Sequence, residues 1–277
     1  EDAFGAPAQP VFVILADQLR IEFEAVGQTV VDQPVAQMFY TVLLAQLDGR
    51  TPEVHFTVTA PYGALDKASL AKPALVVDRN RLQQNIRTLV GHVDGRFDYR
   101  IVAKSLPSLP LLGAVMEASG SDRLMLFHQP FINQVANRFP RADILLGKPM
   151  PVTAARNFYR QFGEGEFEPS RQLRWLLDTP QRIGQYDELA RSLGQKLLIC
   201  IELDVGLHRG GVSSDEQLVA MLDLITRSQH LNFCGFMGYE PHVVKMPVGS
   251  PASYRDQAVT LYQHYVDIAK AHLGERW

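Results

Sequence analysis

Short apolar segments rich in valine, isoleucine and leucine alternate with longer amphipathic segments from about residue 73 onward. Between the apolar segments, apolar residues recur at the helical spacing i, i+3 and i+4, most clearly over residues 80–90 and 214–225. This alternation is typical of βα units around a parallel sheet, whose strands are buried on both faces and therefore read as continuous apolar runs. The segments with the length of strands are residues 74–77, 99–103, 123–127, 143–146, 173–177, 197–203 and 232–237.

These seven units predict an α/β fold, a (β/α)8 barrel of the TIM type over residues 71–277. Proline or serine marks the expected start of several helices, at Pro151, at Pro180 and at Ser213 or Ser214, and a last helix is expected over residues 253–272. One strand of an eightfold barrel is missing from this count. It would come from the first 70 residues or from sequence beyond Trp277, and we expect the second.

Residues 1–70 do not follow the repeat and are interpreted as a leader of unknown role. The pattern predicts a helix over residues 34–47 and a half-buried strand over 53–60, whereas residues 11–24 fit either element. The chain begins on Glu1 without a methionine. We expect a cytoplasmic protein, with a cleaved N-terminal signal as the alternative.

Composition narrows the class of partner. With 46% hydrophobic and 21% charged residues the chain can bury a large core, and its net charge of −3 argues against nucleic acid or an anionic membrane. No apolar run approaches the roughly 20 residues that a membrane span needs. The two cysteines, Cys200 and Cys234, both lie in apolar strand-like segments, which favours buried reduced thiols over a disulfide.

We expect the functional residues at the carboxyl ends of the strands, where active sites of barrels lie. Of the seven lysines, Lys104 and Lys148 directly follow an apolar strand. A lysine that forms an imine must be neutral for part of the time, and burial at the mouth of an apolar barrel lowers its pKa. Lys104 is therefore a candidate imine-forming residue, and the alternative is a surface lysine at the start of a loop.

The segment after the sixth apolar run is a glycine-rich turn that carries an arginine. Gly206, Gly210 and Gly211 permit tight turns and close approach of the backbone to a ligand. Arg209 offers a planar fork of donors for a phenolate or a carboxylate. We expect Asp204 to fix this turn or to hold Arg209.

Other side chains are candidates for supporting roles. Tyr239, at the end of the last apolar run, could stack on an aromatic ligand or simply cap the barrel. Gly249 and Ser250 could bind phosphate through backbone N–H groups at the start of the last helix. Glu202, two residues before Asp204 on the same strand, could serve in acid–base chemistry. No zinc motif or nucleophile-elbow motif occurs, and no metal site is predicted.

Taken in order, these segments resemble the fold-type III enzymes that use pyridoxal 5′-phosphate (PLP), the family of alanine racemase-like barrels. The resemblance is to the branch of D-threonine aldolase and D-serine dehydratase, and it covers roughly residues 70–275. Its most specific part is the turn Asp-Val-Gly-Leu-His-Arg-Gly-Gly that begins at Asp204, and Arg-Ile-Val-Ala-Lys, ending at Lys104, resembles the strand of the Schiff-base lysine.

The resemblance implies a PLP-dependent lyase or amino-acid racemase that acts on a D-amino acid or a β-hydroxy amino acid. Lys104 would form the Schiff base, Arg209 would lie near the cofactor's phenolic oxygen or the substrate carboxylate, and Tyr239 would line the pocket. The partner would be a small amino-acid substrate, with a homodimer possible. The rival hypotheses are a non-catalytic PLP-binding or homeostasis barrel and a barrel that has lost PLP.

Two departures from the branch bear on these hypotheses. The aldolase and dehydratase branch follows its lysine with Thr-His-Lys, whereas Ser105 and then Leu-Pro follow here. The branch also carries a C-terminal β domain with a metal held by a His-x-Cys pair, and no such pair occurs in these residues. We expect that domain, and any divalent metal, to lie outside this chain.

Overall fold

The structure is a computed structural model, and it describes residues 13–15, 77, 79–93, 95, 97–105, 107–163, 165–244 and 251–277, with the backbone alone at 13–15. Within these residues one parallel sheet has its strands in chain order. Each strand pairs with the next, so that no strand is skipped. The strands are β1 (Val13–Leu15), β2 (Arg100–Val102), β3 (Arg123–Leu126), β4 (Asp143–Leu146), β5 (Leu173–Leu177), β6 (Leu197–Leu203) and β7 (Leu231–Gly238).

Helices connect successive strands from β2 onward, which is the βα order expected from the sequence. Several begin at a serine, threonine or proline, and the Ser214 side chain accepts a hydrogen bond from the N–H of Gln217 as an N-cap. The helices are α1 (Arg79–His92), α2 (Leu109–Ser119), α3 (Gln129–Arg138), α4 (Val152–Gln161), α5 (Pro169–Gln172), α6 (Pro180–Leu193), α7 (Asp215–Arg227) and α8 (Pro251–Leu273). Short 3-10 turns lie at Pro241–Val244 and Gly274–Arg276.

Six of the seven strands predicted from residue 73 onward are present, within two residues of their expected bounds. The predicted strand at 74–77 lies outside the described residues except for Val77, and the helix at 34–47 and the strand at 53–60 lie outside them entirely. The leader nevertheless supplies one strand, because β1 pairs in parallel with β2 from Val13 to Leu15. The division of the chain near residue 70 stays a prediction.

Apolar side chains from the strands and helices form one core. Its largest fully buried side chain, Trp175, donates its indole N–H to the Tyr159 hydroxyl at 3.0 Å, and the Tyr186 hydroxyl donates to the carbonyl of Met150 at 3.1 Å. Burial raises the pKa of both tyrosines, so both hydroxyls stay protonated. The buried aromatic groups are thus satisfied without charge, as a dry core requires.

A cluster of charged residues lies at the amino ends of the strands, where β2, β4 and β5 begin. Arg100 is 4% exposed and places Nη2 2.6 Å from Asp143 Oδ1, while its Nη1 donates to the carbonyls of Leu124 and Asp143. Arg174 pairs with the other oxygen of the same carboxylate. The Asp143 carboxylate is therefore a counter-charge shared by two guanidinium groups, of which that of Arg100 is buried.

Replacement of Asp143 by alanine is expected to destabilise the fold by about 3 kcal/mol, because it leaves the Arg100 guanidinium buried without a counter-charge. The free energy of unfolding in urea measures this. Asp256→Ala is the matched control, since the exposed pair of Asp256 with Arg255 contributes less than about 1 kcal/mol. A loss at Asp143 no larger than that of the control would contradict the assigned role.

Candidate functional site

A cavity of about 270 Å³ opens at the carboxyl ends of the strands. This is the edge at which the loops of an α/β barrel meet and active sites lie. The lining residues follow β2, β3, β4, β6 and β7, except for Met125 and Met237, which lie within the last residues of β3 and β7. The cavity is lined by Lys104, Met125, Phe127, Gly147, Lys148, Arg209, Met237 and Tyr239.

Lys104 stands two residues beyond the end of β2. The last backbone bond of this strand edge joins the N–H of Ala103 to the carbonyl of Met125 at 3.0 Å, and the chain then leaves the sheet. The Lys104 ammonium lies 5.6 Å from the centre of the Phe127 ring, and the residue is exposed. Lys104 thus lies at the start of a loop, beyond the buried residues of β2, and its role as an imine-forming residue stays a prediction.

Asp204 fixes the start of the loop that follows β6. Its Oδ1 accepts hydrogen bonds from the backbone N–H groups of Gly206 at 3.1 Å and His208 at 2.9 Å, and its Oδ2 lies 2.8 Å from Nδ1 of the His208 ring. Burial alone would raise the pKa of Asp204, but the hydrogen bonds from His208 and Gly206 outweigh it and hold that pKa below its ordinary value. The carboxylate is thus a structural anion of the turn.

The same loop closes on the strand from which it departs. The N–H of Asp204 donates to the carbonyl of Val212, and the N–H of Val212 donates to the carbonyl of Glu202. Gly211 lies at the crossing with φ +99, where a Cβ would stand 2.7 Å from the backbone nitrogen of Asp204. A side chain cannot fit there, so glycine is required for the loop to return to the cavity.

Arg209 is held in place by a buried carboxylate and an aromatic ring. Its Nη2 donates to Oε1 of Glu202 at 2.6 Å, and its guanidinium carbon lies 4.4 Å from the centre of the Tyr239 ring. The Glu202 side chain is 5% exposed, and burial raises its pKa while Arg209 and Lys148 act in the opposite direction. A guanidinium stacked on a ring and bonded to a carboxylate has few alternative positions.

The sequence left two roles open for Asp204, fixing the turn or holding Arg209. In the structure these roles belong to two different acidic residues. Asp204 fixes the turn, whereas Glu202 holds Arg209. Sequence reasoning assigned Glu202 only to possible acid–base work. Glu202 stands two residues before Asp204, so the two side chains lie on the same side of the chain near the carboxyl end of β6. This spacing is the signal in the sequence that could have identified Glu202 as the partner of Arg209.

Part of the cavity lining is apolar. Met125, Phe127 and Met237 contribute to it, and Gly147 leaves the space that the Phe127 ring occupies. A Cβ at Gly147 would overlap that ring and stand 2.8 Å from Sδ of Met125. The absent side chain is thus what allows the Phe127 ring to approach the residue after β4 this closely.

Three of the predicted site residues, Lys104, Arg209 and Tyr239, line this same cavity. Gly249 and Ser250, predicted to bind phosphate, lie outside the described residues. The chemical roles of all five stay predictions. Sequence reasoning did not assign Lys148 or Phe127 to the site, although Lys148 stood out because it directly follows a strand.

Two features, a metal-binding cluster and a membrane-spanning helix, are absent from the described part of the chain. No group of three or more histidine, cysteine, aspartate or glutamate side chains there is arranged to hold a metal ion. Nor does any helix in those residues have the length and apolar character needed to cross a membrane.

Comparisons with solved structures find the same fold in two kinds of enzyme. Alanine racemase from Clostridium difficile 630 superposes with a TM-score of 0.57 at 15% identity, over 72% of this chain and 51% of that one. A metal-free C353A mutant of D-threo-3-hydroxyaspartate dehydratase superposes with a TM-score of 0.59 at 19% identity, over 74% and 52%. This chain therefore spans about half the length of these proteins, and at such identities the likeness shows the fold.

A comparison with curated protein sequences found no match. The alanine racemase N-terminal domain family, by contrast, matches residues 77–273, which is most of the chain. This match and the superpositions confirm the predicted α/β barrel and the predicted resemblance to alanine racemase-like proteins, for which the cofactor is PLP. The chain belongs to the alanine racemase N-terminal domain family.

Proposed function

We propose that this chain is a PLP-dependent enzyme that acts on a D-amino acid or a β-hydroxy amino acid and binds the cofactor through Lys104. The reaction would be aldol cleavage, β-elimination or racemisation. The observation that carries the proposal is one cavity lined by a lysine, Lys104, and by Arg209, whose guanidinium a buried carboxylate holds in position.

The residues present fit PLP by their chemistry. Lys104 offers an amine for attachment to an aldehyde carbon. Arg209 offers a fixed cation for a phenolic oxygen or a carboxylate. Phe127, Met125 and Met237 offer an apolar wall for an aromatic ring.

When bound, PLP supplies an electron sink for the negative charge that develops at the substrate's α carbon. The protein residues supply the rest. Lys104 would hold the cofactor, and its Nζ, as a free amine, would take or return a proton at the substrate's α carbon. Arg209 orients the anionic group next to that carbon, and because Glu202 and Tyr239 restrict its movement, the orientation is set before the substrate enters.

The named activities of the two solved relatives support the class of substrate. Both are enzymes of amino acids, one a racemase and one a dehydratase acting on a β-hydroxy amino acid of the D series, as their names state. The rival function is a barrel that binds PLP without turnover. Incubation with D-threonine, D-serine, D-threo-3-hydroxyaspartate and D-alanine separates the two, since the carrier would consume none of them.

The first experiment is the visible spectrum of the 277-residue protein mixed with an equal concentration of PLP, before and after borohydride. We expect a long-wavelength absorption band that borohydride removes, and a reduced adduct on the tryptic peptide containing Lys104. Lys104→Met should abolish the band and the adduct.

Lys148→Met is the matched control, because it removes a second lysine that lines the same cavity. It should leave the adduct on Lys104 unchanged. An adduct on Lys148 in the original protein, or an unaltered band in Lys104→Met, would contradict the assignment. Absence of any band would contradict PLP binding by this chain.

Gly147→Ala is expected to weaken PLP binding at least about tenfold, because the new methyl group displaces the Phe127 ring toward the cavity. Titration followed by the visible band measures the Kd, with a circular dichroism spectrum to verify the fold. Gly184→Ala, in the open face of α6, should leave the Kd unchanged. Equal affinities for the two variants would show that the space at Gly147 does not belong to the cofactor site.

A further inference from the structure

The two cysteines of the chain lie in contact between neighbouring strands. Cys200 on β6 and Cys234 on β7 place their Sγ atoms 3.0 Å apart. Both are free thiols, as the sequence predicted, but only Cys200 is buried, whereas Cys234 is partly exposed. Because the whole sequence contains these two cysteines alone, every change in its thiol chemistry belongs to this pair.

An irregularity in the sheet creates the contact. The register runs from Ile199 opposite Phe233 directly to Cys200 opposite Gly235, so Cys234 is an extra residue on β7. In a bulge of this kind two residues oppose one, and the local backbone turns to accommodate the insertion. Gly235 adopts the required conformation, with φ +123. The bulge therefore places the Cys234 sulfur against that of Cys200.

The surroundings keep the Cys234 thiol protonated. Burial raises the pKa of the Cys234 thiol well above its ordinary value, and the hydrogen bond with Cys200 acts in the same direction. The positive charge of Arg174, from the cluster at the amino ends of the strands, acts against this. The thiolate is thus scarce, and the oxidant must be small enough to reach thiols that lie within the sheet.

We propose that Cys200 and Cys234 are an oxidation site, which hydrogen peroxide converts into an intramolecular disulfide between β6 and β7. The thiol of Cys234, the less buried residue of the pair, takes one oxygen from peroxide to become a sulfenic acid, and one water is released. The Cys200 sulfur then attacks it, the S–S bond forms, and the S–O bond breaks with release of a second water. The two thiols lose two electrons and two protons, and peroxide accepts them.

The cross-link would lie close to the candidate site. Cys200 precedes Glu202 by two residues on β6, so both side chains point to the same face of the strand. The bond would join the strand that carries Glu202 to the strand that ends before Tyr239. The inference does not depend on PLP, and its test needs neither cofactor nor turnover.

The test is peptide mapping of the 277-residue protein after treatment with hydrogen peroxide. The protein is denatured, alkylated with iodoacetamide without reduction, and digested with trypsin. We expect loss of both alkylated cysteines and the appearance of one linked species that joins the peptide of residues 197–209 to that of residues 228–245. Dithiothreitol should restore both alkylated peptides.

Cys200→Ser is the matched control, in which peroxide can oxidise Cys234 but no internal bond can form. It should give a sulfenic acid trapped by dimedone, and no linked species. Recovery of both alkylated cysteines in the peroxide-treated original protein would overturn the proposal. So would separate oxidation of each cysteine to a sulfinic acid, or a bond between two chains. These readings come from the original protein, so they hold even where the serine variant does not fold.

Discussion

The parallel register of the sheet is the constraint on which the candidate site depends. Since every strand runs in the same direction, the residues after β2, β3, β4, β6 and β7 all emerge at one edge. Lys104 and Arg209 lie about a hundred residues apart in the sequence, yet they line one cavity because their strands end at the same level. The opposite edge carries the cluster around Asp143, so the two ends of the sheet hold separate sets of charges.

The sequence predicts the strands well because each is a short apolar run bounded by polar residues. β4, β5 and β6 begin and end at the residues that the pattern indicates, and the cap at Ser214 follows from a serine before two acidic residues. The same pattern places Lys104 and the Asp204 turn at strand ends, so the candidate chemistry also follows from periodicity. The strand from the leader, β1, could not be chosen in this way, since its segment fits helix and strand alike.

Contacts between side chains of different elements are the part that periodicity does not contain. The partner of Arg209 depends on whether Glu202 or Asp204 reaches the guanidinium, and the loop closure at Val212 decides this. The exposure of Lys104 depends on where β2 leaves the sheet. The need for glycine at position 147 depends on a phenyl ring from the neighbouring strand. These three features depend on distances between residues that are far apart in the sequence, and the spacing of residues along the chain does not predict such distances.

The loop after β6 is fastened by its backbone, by the Asp204 carboxylate and by glycines, and this has an evolutionary consequence. Fastenings of this kind place few demands on the side chain of Leu207, at the tip of the loop. Substitutions there can accumulate without moving Arg209 from Glu202. Substitution at the loop's tip can therefore alter which ligands fit beside the candidate site, while the anchor at Asp204 and Gly211 keeps Arg209 in position.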